Sequence, residues 1–187
     1  KEAIASFNKA LSLKPDYTVA YYNMGNALKD QGKLEEAIAS FNKALSLKPD
    51  YAVAYNNMGN ALENQGKLKE AIEAYNKALS IKPDFADAYL NLGNALQVQG
   101  KLEEAIASFN KALSLKPDYA GAYNNVGNAL KDQGKLEEAI TSFNKALSLK
   151  PDYAEVHKNL SSLIKYRPND TQITLVSEMI QRPDLKR

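Results

Sequence analysis

The chain has 187 residues, of which 44% are hydrophobic, and its 24 basic and 22 acidic side chains give it a net charge of +2. This balance, without a clustered basic face, predicts neither a nucleic-acid partner nor an anionic membrane partner. The absence of cysteine excludes disulfides and thiolate chemistry. No apolar run approaches the roughly 18 residues that span a bilayer. We therefore expect no membrane segment and a cytoplasmic location.

The sequence repeats itself every 34 residues. The repeat is clearest in its prolines and glycines, which recur as Pro15, Pro49, Pro83, Pro117 and Pro151, as Gly25, Gly59, Gly93 and Gly127, and as Gly32, Gly66, Gly100 and Gly134. A period of this length is typical of stacked arrays in which each unit contacts only its neighbours. Such arrays usually act through a long continuous surface, which makes a single catalytic pocket the less natural outcome.

The units follow one another in a simple order along the chain. Residues 1–17 are predicted to be the second helix of a truncated repeat, because they align with the middle of the later units, and we expect the chain to be part of a longer protein. Four complete units are predicted at 18–51, 52–85, 86–119 and 120–153. In 154–187 the pattern decays, which predicts divergent capping helices. The last of these carries Ile173, Val176, Met179 and Ile180, and Arg182-Pro183-Asp184 is predicted to end it.

Each complete unit is predicted to contain two amphipathic helices, here called helix A and helix B. Apolar and small residues recur at helical spacing on both sides of Gly32. Gly32 is expected to end helix A in a left-handed conformation, and Pro49 to end helix B. Asp50 is then expected to cap the next helix A through its carboxylate. Small residues such as Gly25 are expected to let the paired helices approach closely.

This pattern resembles the tetratricopeptide repeat. The family's pattern of aromatic, apolar-glycine, large apolar, alanine, aromatic, alanine and proline positions appears as Tyr21, Met24-Gly25, Leu28, Ala37, Phe41, Ala44 and Pro49, and it recurs through the fourth copy as Tyr123, Val126-Gly127, Leu130, Ala139, Phe143, Ala146 and Pro151. The resemblance implies an all-α fold, a right-handed superhelical solenoid of antiparallel helix hairpins. It also implies that helix A lines a concave groove.

Two columns of asparagine run along helix A, and their members lie three residues apart, so they share a face. The first column is Asn23, Asn57, Asn91, Asn125 and Asn159, and the second is Asn26, Asn60, Asn94 and Asn128. The repeats are similar to those of the O-linked N-acetylglucosamine transferase, whose asparagine ladder holds an extended peptide backbone. A carboxamide can donate to and accept from any backbone amide. The columns could equally bond neighbouring helices and fix the pitch of the superhelix, or each column could take one role.

Selectivity for a ligand is expected from positions of this face that vary between repeats. They include Tyr22, whose counterparts are Asn56, Leu90 and Asn124, and Lys29, whose counterparts are Glu63, Gln97 and Lys131. Outside the asparagine columns, the predicted groove residues are Tyr22, Leu90, Lys29 and Lys131. The set is mixed in charge, which disfavours an acidic peptide tail as the ligand.

The sequence offers no set of residues for catalysis, metal binding or cofactor binding. The single histidine, His157, replaces the helix A tyrosine of the other repeats, and we interpret it as a packing residue. The paired acids Glu35 and Glu36 open a helix B, where they face the helix dipole. No strand precedes any of the glycines, as a phosphate-binding loop would require. We therefore predict that the chain is not an enzyme and holds no cofactor.

The leading functional prediction is a non-enzymatic scaffold that binds an extended peptide or protein segment along its groove. One alternative is a substrate-recruiting repeat domain of a larger glycosyltransferase-like or sulfotransferase-like enzyme, because His157-Lys158-Asn159-Leu160-Ser161 and Ile164-Lys165-Tyr166 are similar to the junction of bacterial repeat–sulfotransferase proteins. Another alternative is a self-assembling array. Association of copies is expected through the N-terminal helix, whose apolar face lacks its own helix A.

Overall fold

The computed structural model describes residues 2–163, which form ten α-helices and contain no strand. The helices are α1 (Glu2–Leu13), α2 (Thr18–Asp30), α3 (Leu34–Leu47), α4 (Ala52–Asn64), α5 (Leu68–Ile81), α6 (Ala86–Val98), α7 (Leu102–Leu115), α8 (Ala120–Asp132), α9 (Leu136–Leu149) and α10 (Ala154–Leu163). The predicted all-α class of helix hairpins is confirmed. The helix predicted around Ile173 to Ile180, its end at Arg182 to Asp184, and the junction residues Ile164 to Tyr166 lie outside the described residues.

The chain divides into two compact units, of which the first comprises residues 1–100 and contains α1 to α6. Two antiparallel hairpins, α2–α3 and α4–α5, make up its centre, and their cores are built from fully buried alanines and one aromatic ring each. In the α2–α3 hairpin the ring is Phe41, which is buried with Leu28 and Ala37. Helix α1 is different, because none of its residues is buried.

Each hairpin depends on a glycine in helix A that lies against the aromatic ring of helix B. A Cβ atom built on Gly25 would lie 2.6 Å from Cε1 of Phe41, and one built on Gly59 would lie 2.5 Å from Cε1 of Tyr75. Both distances are far below a van der Waals contact. The prediction that a small residue here permits close helix approach is confirmed.

The turn from helix A to helix B also needs glycine, for a separate reason. Gly32 has φ of +73°, a left-handed conformation that other residues adopt only at a cost. The Gly32 amide donates to the Lys29 carbonyl at 2.9 Å and the Lys33 amide donates to the Leu28 carbonyl at 2.9 Å. These two bonds form a Schellman motif, which satisfies carbonyl groups at the end of the helix. The predicted helix stop is therefore confirmed.

The corner from helix B to the next helix A differs from the prediction. Helix α4 begins at Ala52, and the capping position is held by Tyr51, whose side chain makes no capping hydrogen bond. The prediction that the Asp50 carboxylate caps this helix is therefore wrong. The Asp50 backbone carbonyl instead accepts from the Ala52 amide at 3.1 Å. Tyr51 is therefore still part of the turn, and the helix starts one residue later than predicted.

The second unit comprises residues 101–187, and its described part contains α7 to α10. The α8–α9 hairpin repeats the glycine–ring contact, because a Cβ on Gly127 would lie 2.5 Å from Cε1 of Phe143. In α10 the residues Val156, His157 and Leu160 are buried. The His157 Nε2 atom lies 2.8 Å from the Pro151 carbonyl oxygen, so the predicted packing role of this histidine is confirmed.

Candidate functional site

The first asparagine column spans the junctions between successive repeats. In the first unit, Asn57 Nδ2 donates to the Asn26 side-chain oxygen at 2.9 Å and to the Tyr22 hydroxyl at 3.0 Å. Both acceptors lie on α2, whereas Asn57 lies on α4. One carboxamide therefore ties two neighbouring helices A together without any backbone contact.

Two further junctions carry the same type of bond. Asn91 Nδ2 donates to Asn56 Oδ1 at 3.0 Å in the first unit. In the second unit, Asn159 Nδ2 donates to Asn124 Oδ1 at 3.1 Å and to Asn128 Oδ1 at 3.0 Å. The side-chain amides of Asn57, Asn91 and Asn159 thus donate to acceptors within the protein.

The second column presents the opposite end of its carboxamides. The Oδ1 atoms of Asn26 and Asn128 accept from the first column, and the Oδ1 atom of Asn60 accepts from the Tyr75 hydroxyl at 2.7 Å. All three residues are half-buried. Within residues 2–163, their Nδ2 groups have no hydrogen-bond partner. Each oxygen is held by the protein while an amide donor remains available to a ligand.

The structure places the other predicted groove residues in less uniform surroundings. Tyr22 is half-buried at the first junction, with its ring centre 5.1 Å from that of Tyr51. Leu90 and Lys131 are also half-buried, and Lys29 Nζ lies 3.9 Å from its neighbour Asp30. Asn23 is half-buried, and Asn94 and Asn125 have partners within the protein.

Two residues at the position of Tyr22 turn out to be buried polar groups. Asn56 is 6% exposed and Asn124 is 2% exposed. Asn124 Nδ2 donates to the Glu155 carboxylate at 3.3 Å, and Asn56 Nδ2 donates to Asn57 Oδ1 at 3.2 Å. The sequence suggested that this position selects ligands, but in these two repeats it completes the junction network.

Repeat 2 contains a polar contact that the sequence analysis missed. Tyr75 stands where the other complete repeats have phenylalanine, and it is fully buried. Its hydroxyl lies 2.7 Å from Glu63 Oε2 as well as 2.7 Å from Asn60 Oδ1. Burial, the hydrogen bond to Glu63 and the negative charge of Glu63 together raise the pKa of Tyr75 far above its ordinary value. The signal in the sequence was that Lys29 and Phe41 of repeat 1 are replaced together, by Glu63 and Tyr75, in repeat 2.

The corners carry a second unpredicted contact. At every corner of the described residues a lysine ammonium lies over the aromatic ring three residues later, at 4.4 to 5.5 Å from the ring centre. The Lys48 and Tyr51 pair is typical, at 5.1 Å. Cation–π contacts of this type contribute roughly 0.5–1 kcal/mol at exposed sites. The spacing Lys-Pro-Asp-Tyr would have been enough to suggest it.

The described residues offer little else for chemistry or membrane insertion. Residues 2–163 contain no group of three or more His, Cys, Asp or Glu side chains placed to hold a metal ion. None of the helices in that part of the chain is both long and apolar enough to cross a bilayer. The asparagine-bearing face of helix A is therefore the candidate site.

The ten helices of residues 2–163 and their repeated hairpins define a helical repeat protein. The family model described as TPR repeat matches residues 1–32, 25–66, 64–100, 98–134 and 127–163. The chain belongs to the tetratricopeptide repeat family. The predicted family is thereby confirmed, and arrays of this family present extended binding surfaces to protein partners. No catalytic family is among these matches.

Several solved structures have a similar fold. The chain is 30% identical to a MamA structure, covering 81% of this chain and 89% of that one with a TM-score of 0.75. It is 27% identical to YrrB, described as a TPR protein with an unusual peptide-binding site, covering 93% and 90% with a TM-score of 0.73. It is 26% identical to PilF of Pseudomonas aeruginosa, covering 87% and 76% with a TM-score of 0.77. Among curated proteins, no sequence matches the chain.

Proposed function

We propose that the chain is a non-enzymatic scaffold that binds an extended peptide or protein segment along the asparagine face of its helices A. The observation that carries the proposal is the set of unpartnered amide donors on Asn26, Asn60 and Asn128. An extended segment exposes backbone carbonyl oxygens at regular intervals, and each can accept from a carboxamide whatever its side chain is. The similarity to YrrB supports the same type of ligand.

The geometry supports a division of roles between the columns. The side-chain amides of first-column residues such as Asn57 donate hydrogen bonds across the junction between repeats, so they hold neighbouring helices A in register. Asn26, Asn60 and Asn128 of the second column have their oxygens fixed by the protein and their amide donors unpartnered within residues 2–163, so they are preorganised for a ligand. Preorganisation of this kind increases affinity because less side-chain freedom is lost on binding.

Two triple variants separate these roles. Replacing Asn26, Asn60 and Asn128 by alanine leaves every protein donor a second acceptor, because Asn57 keeps Tyr22, Asn159 keeps Asn124 and Tyr75 keeps Glu63. We expect this variant to fold with little change in melting temperature. Its affinity should fall more than about tenfold, since each lost bond contributes roughly 0.5–1.5 kcal/mol.

The matched control replaces Asn57, Asn91 and Asn159 by alanine. This change removes the junction donors, so we expect a lower melting temperature and a smaller loss of affinity in the protein that remains folded. A positional-scanning library of dodecapeptides supplies the ligand, and fluorescence anisotropy measures binding. If no peptide in the library binds the wild-type chain, or if the second-column variant binds as tightly as the wild type, the proposal fails.

The other functions considered from the sequence remain predictions. Recruitment of substrate for a glycosyltransferase-like or sulfotransferase-like domain rests on sequence resemblance, and the matched family model covers only the repeats. Self-assembly through α1, the cytoplasmic location, and the expectation of no nucleic-acid, membrane or cofactor partner are likewise predictions.

A further inference from the structure

We propose that Glu63 selects a cationic side chain, Lys or Arg, in the bound segment. This inference rests on the proposed peptide-binding function and assigns a chemical class to part of its ligand. Glu63 lies on α4, three residues after Asn60 and therefore next to it on the same helix face. A basic side chain of the ligand would form an ion pair with Glu63, while a neighbouring backbone carbonyl of the ligand accepts a hydrogen bond from the side-chain amide of Asn60.

The position of Glu63 is unfavourable for an anion in the free protein. It is the penultimate residue of α4, where the helix macrodipole disfavours negative charge and favours positive charge. Lys29 and Lys131 occupy the equivalent positions of α2 and α8 and follow that rule. Glu63 departs from that rule, and a residue that breaks a local rule is a candidate for function.

Within residues 2–163 Glu63 forms no ion pair, and neither the Lys29–Asp30 pair nor the Lys33–Glu36 pair involves it. The residue after Glu63 is the neutral Asn64, whereas Lys29 is followed by Asp30. Glu63 is half-buried, and a partly desolvated charge without an opposite charge beside it favours the binding of one.

Tyr75 acts as a positioning residue for this carboxylate. Its hydroxyl has one proton and lies 2.7 Å from both Glu63 Oε2 and Asn60 Oδ1. The bond to Glu63 is the charge-assisted one, because its acceptor is a carboxylate. It fixes Oε2, and within residues 2–163 the second oxygen, Oε1, has no partner. That oxygen is the one available to a ligand cation.

The test uses the dodecapeptide library on the wild-type chain and on three variants. Glu63→Gln removes the charge and keeps the shape, and Tyr75→Phe removes the positioning hydroxyl while restoring the ring found in the other repeats. Glu73→Gln is the matched control, because Glu73 belongs to the same repeat but is exposed on α5. The measured quantity is the ratio of affinities for peptides with Lys and with norleucine at each library position.

We expect the wild-type chain to prefer Lys or Arg at one library position. Glu63→Gln should reduce that preference roughly tenfold, the effect of one charge-assisted hydrogen bond, and Glu73→Gln should leave it unchanged. Tyr75→Phe should reduce it in part, with the overall affinity for norleucine peptides retained. If peptides bind but basic residues are not preferred, or if Glu63→Gln keeps the preference, this proposal is overturned and peptide binding stands. If no peptide binds, the proposed function itself is overturned.

Discussion

The hairpins α2–α3 and α4–α5 have the same backbone plan but different chemistry at one point. In both, a helix A glycine lies against a fully buried ring, with hypothetical Cβ distances of 2.6 Å at Gly25 and 2.5 Å at Gly59. In the first hairpin the ring is Phe41. In the second it is Tyr75, whose hydroxyl reaches Asn60 and Glu63. The same packing therefore accommodates a polar atom.

The difference shows that one backbone plan accepts two ring chemistries only when the neighbouring surface residues change with the ring. A buried hydroxyl without a partner costs about 1–3 kcal/mol, so phenylalanine could not become tyrosine without an acceptor nearby. Helix A of the second hairpin supplies two acceptors from its asparagine-bearing face. The core of the hairpin is thus coupled to that face at this repeat, whereas Phe41 is purely apolar.

The largest effect should come from disturbing what the two hairpins share. Gly59→Ala places a methyl group against the Tyr75 ring, and we expect it to destabilise the protein by about 1–3 kcal/mol through overpacking. Urea denaturation followed by circular dichroism measures the shift in midpoint. Gly121→Ala is the control, because its Cβ would lie 3.7 Å from the nearest atom of Tyr119. That variant should be as stable as the wild type or slightly more so, since alanine is the better helix former.

A second experiment transfers the chemistry of one hairpin to the other. Phe41→Tyr adds a buried hydroxyl beside Asn26, whose oxygen already accepts from Asn57, so we expect a loss of about 1–2 kcal/mol. Adding Lys29→Glu supplies the second acceptor and should recover part of that loss. A double-mutant cycle in urea gives the coupling energy between positions 41 and 29. If the effects of the two changes on stability are additive, the buried hydroxyl does not depend on the acceptor at position 29, which contradicts the explanation given for Tyr75 and Glu63.

The pH dependence of stability should distinguish the two rings. Burial and the contact with Glu63 raise the pKa of Tyr75 above its ordinary value of about 10. The folded state then holds this proton more tightly than the unfolded state. The associated stability is complete below pH 10 and is lost above it, by up to about 1.4 kcal/mol per pH unit.

The measurement compares wild type and Tyr75→Phe from pH 9 to pH 11. The wild type should lose stability more steeply than the variant as the pH rises. The other tyrosines and the lysines titrate in both proteins, so their contribution cancels in the difference. Parallel profiles would show that Tyr75 is not held in its protonated form by the fold.

The smallest effect concerns a third ring at the same position of the repeat. Phe7 of α1 is only half-buried, because no helix A among the described residues covers it. We expect copies of this polypeptide to associate weakly through that face. Sedimentation equilibrium should show a mass that rises with concentration, and Phe7→Ser should abolish the rise. A mass that stays monomeric at high concentration would contradict the expectation.

The sequence was sufficient to predict the helices and turns, because glycine, proline and apolar residues recur at a fixed period. It was misleading at Asp50, where the propensity of aspartate to cap predicted the wrong residue. There the Lys48 contact with Tyr51 and the turn at the Asp50 carbonyl set the helix start instead. The contact between Glu63 and Tyr75 could not be predicted from spacing alone, since it depends on how two packed helices face each other.

The asparagine face shows a similar limit. The sequence predicted that both columns share a face, but it left open whether they bind a ligand or fix the array. Spacing alone could not assign these roles, because the direction of each carboxamide depends on which neighbour holds its oxygen. Asn57 and Asn26 have the same side chain, but the protein bonds both ends of the Asn57 carboxamide and only the oxygen of Asn26.

Helices α3 and α7 have the same sequence over all 14 residues. The side chains of these two helices therefore cannot determine which of them pairs with α2. Covalent attachment decides the matter, since the short turn at Gly32 keeps α3 beside α2 at a high effective concentration. The short turn, and not the helix sequence, therefore pairs α3 with α2. Lengthening that turn would lower the effective concentration of α3 beside α2 and would favour pairing with a helix of another chain.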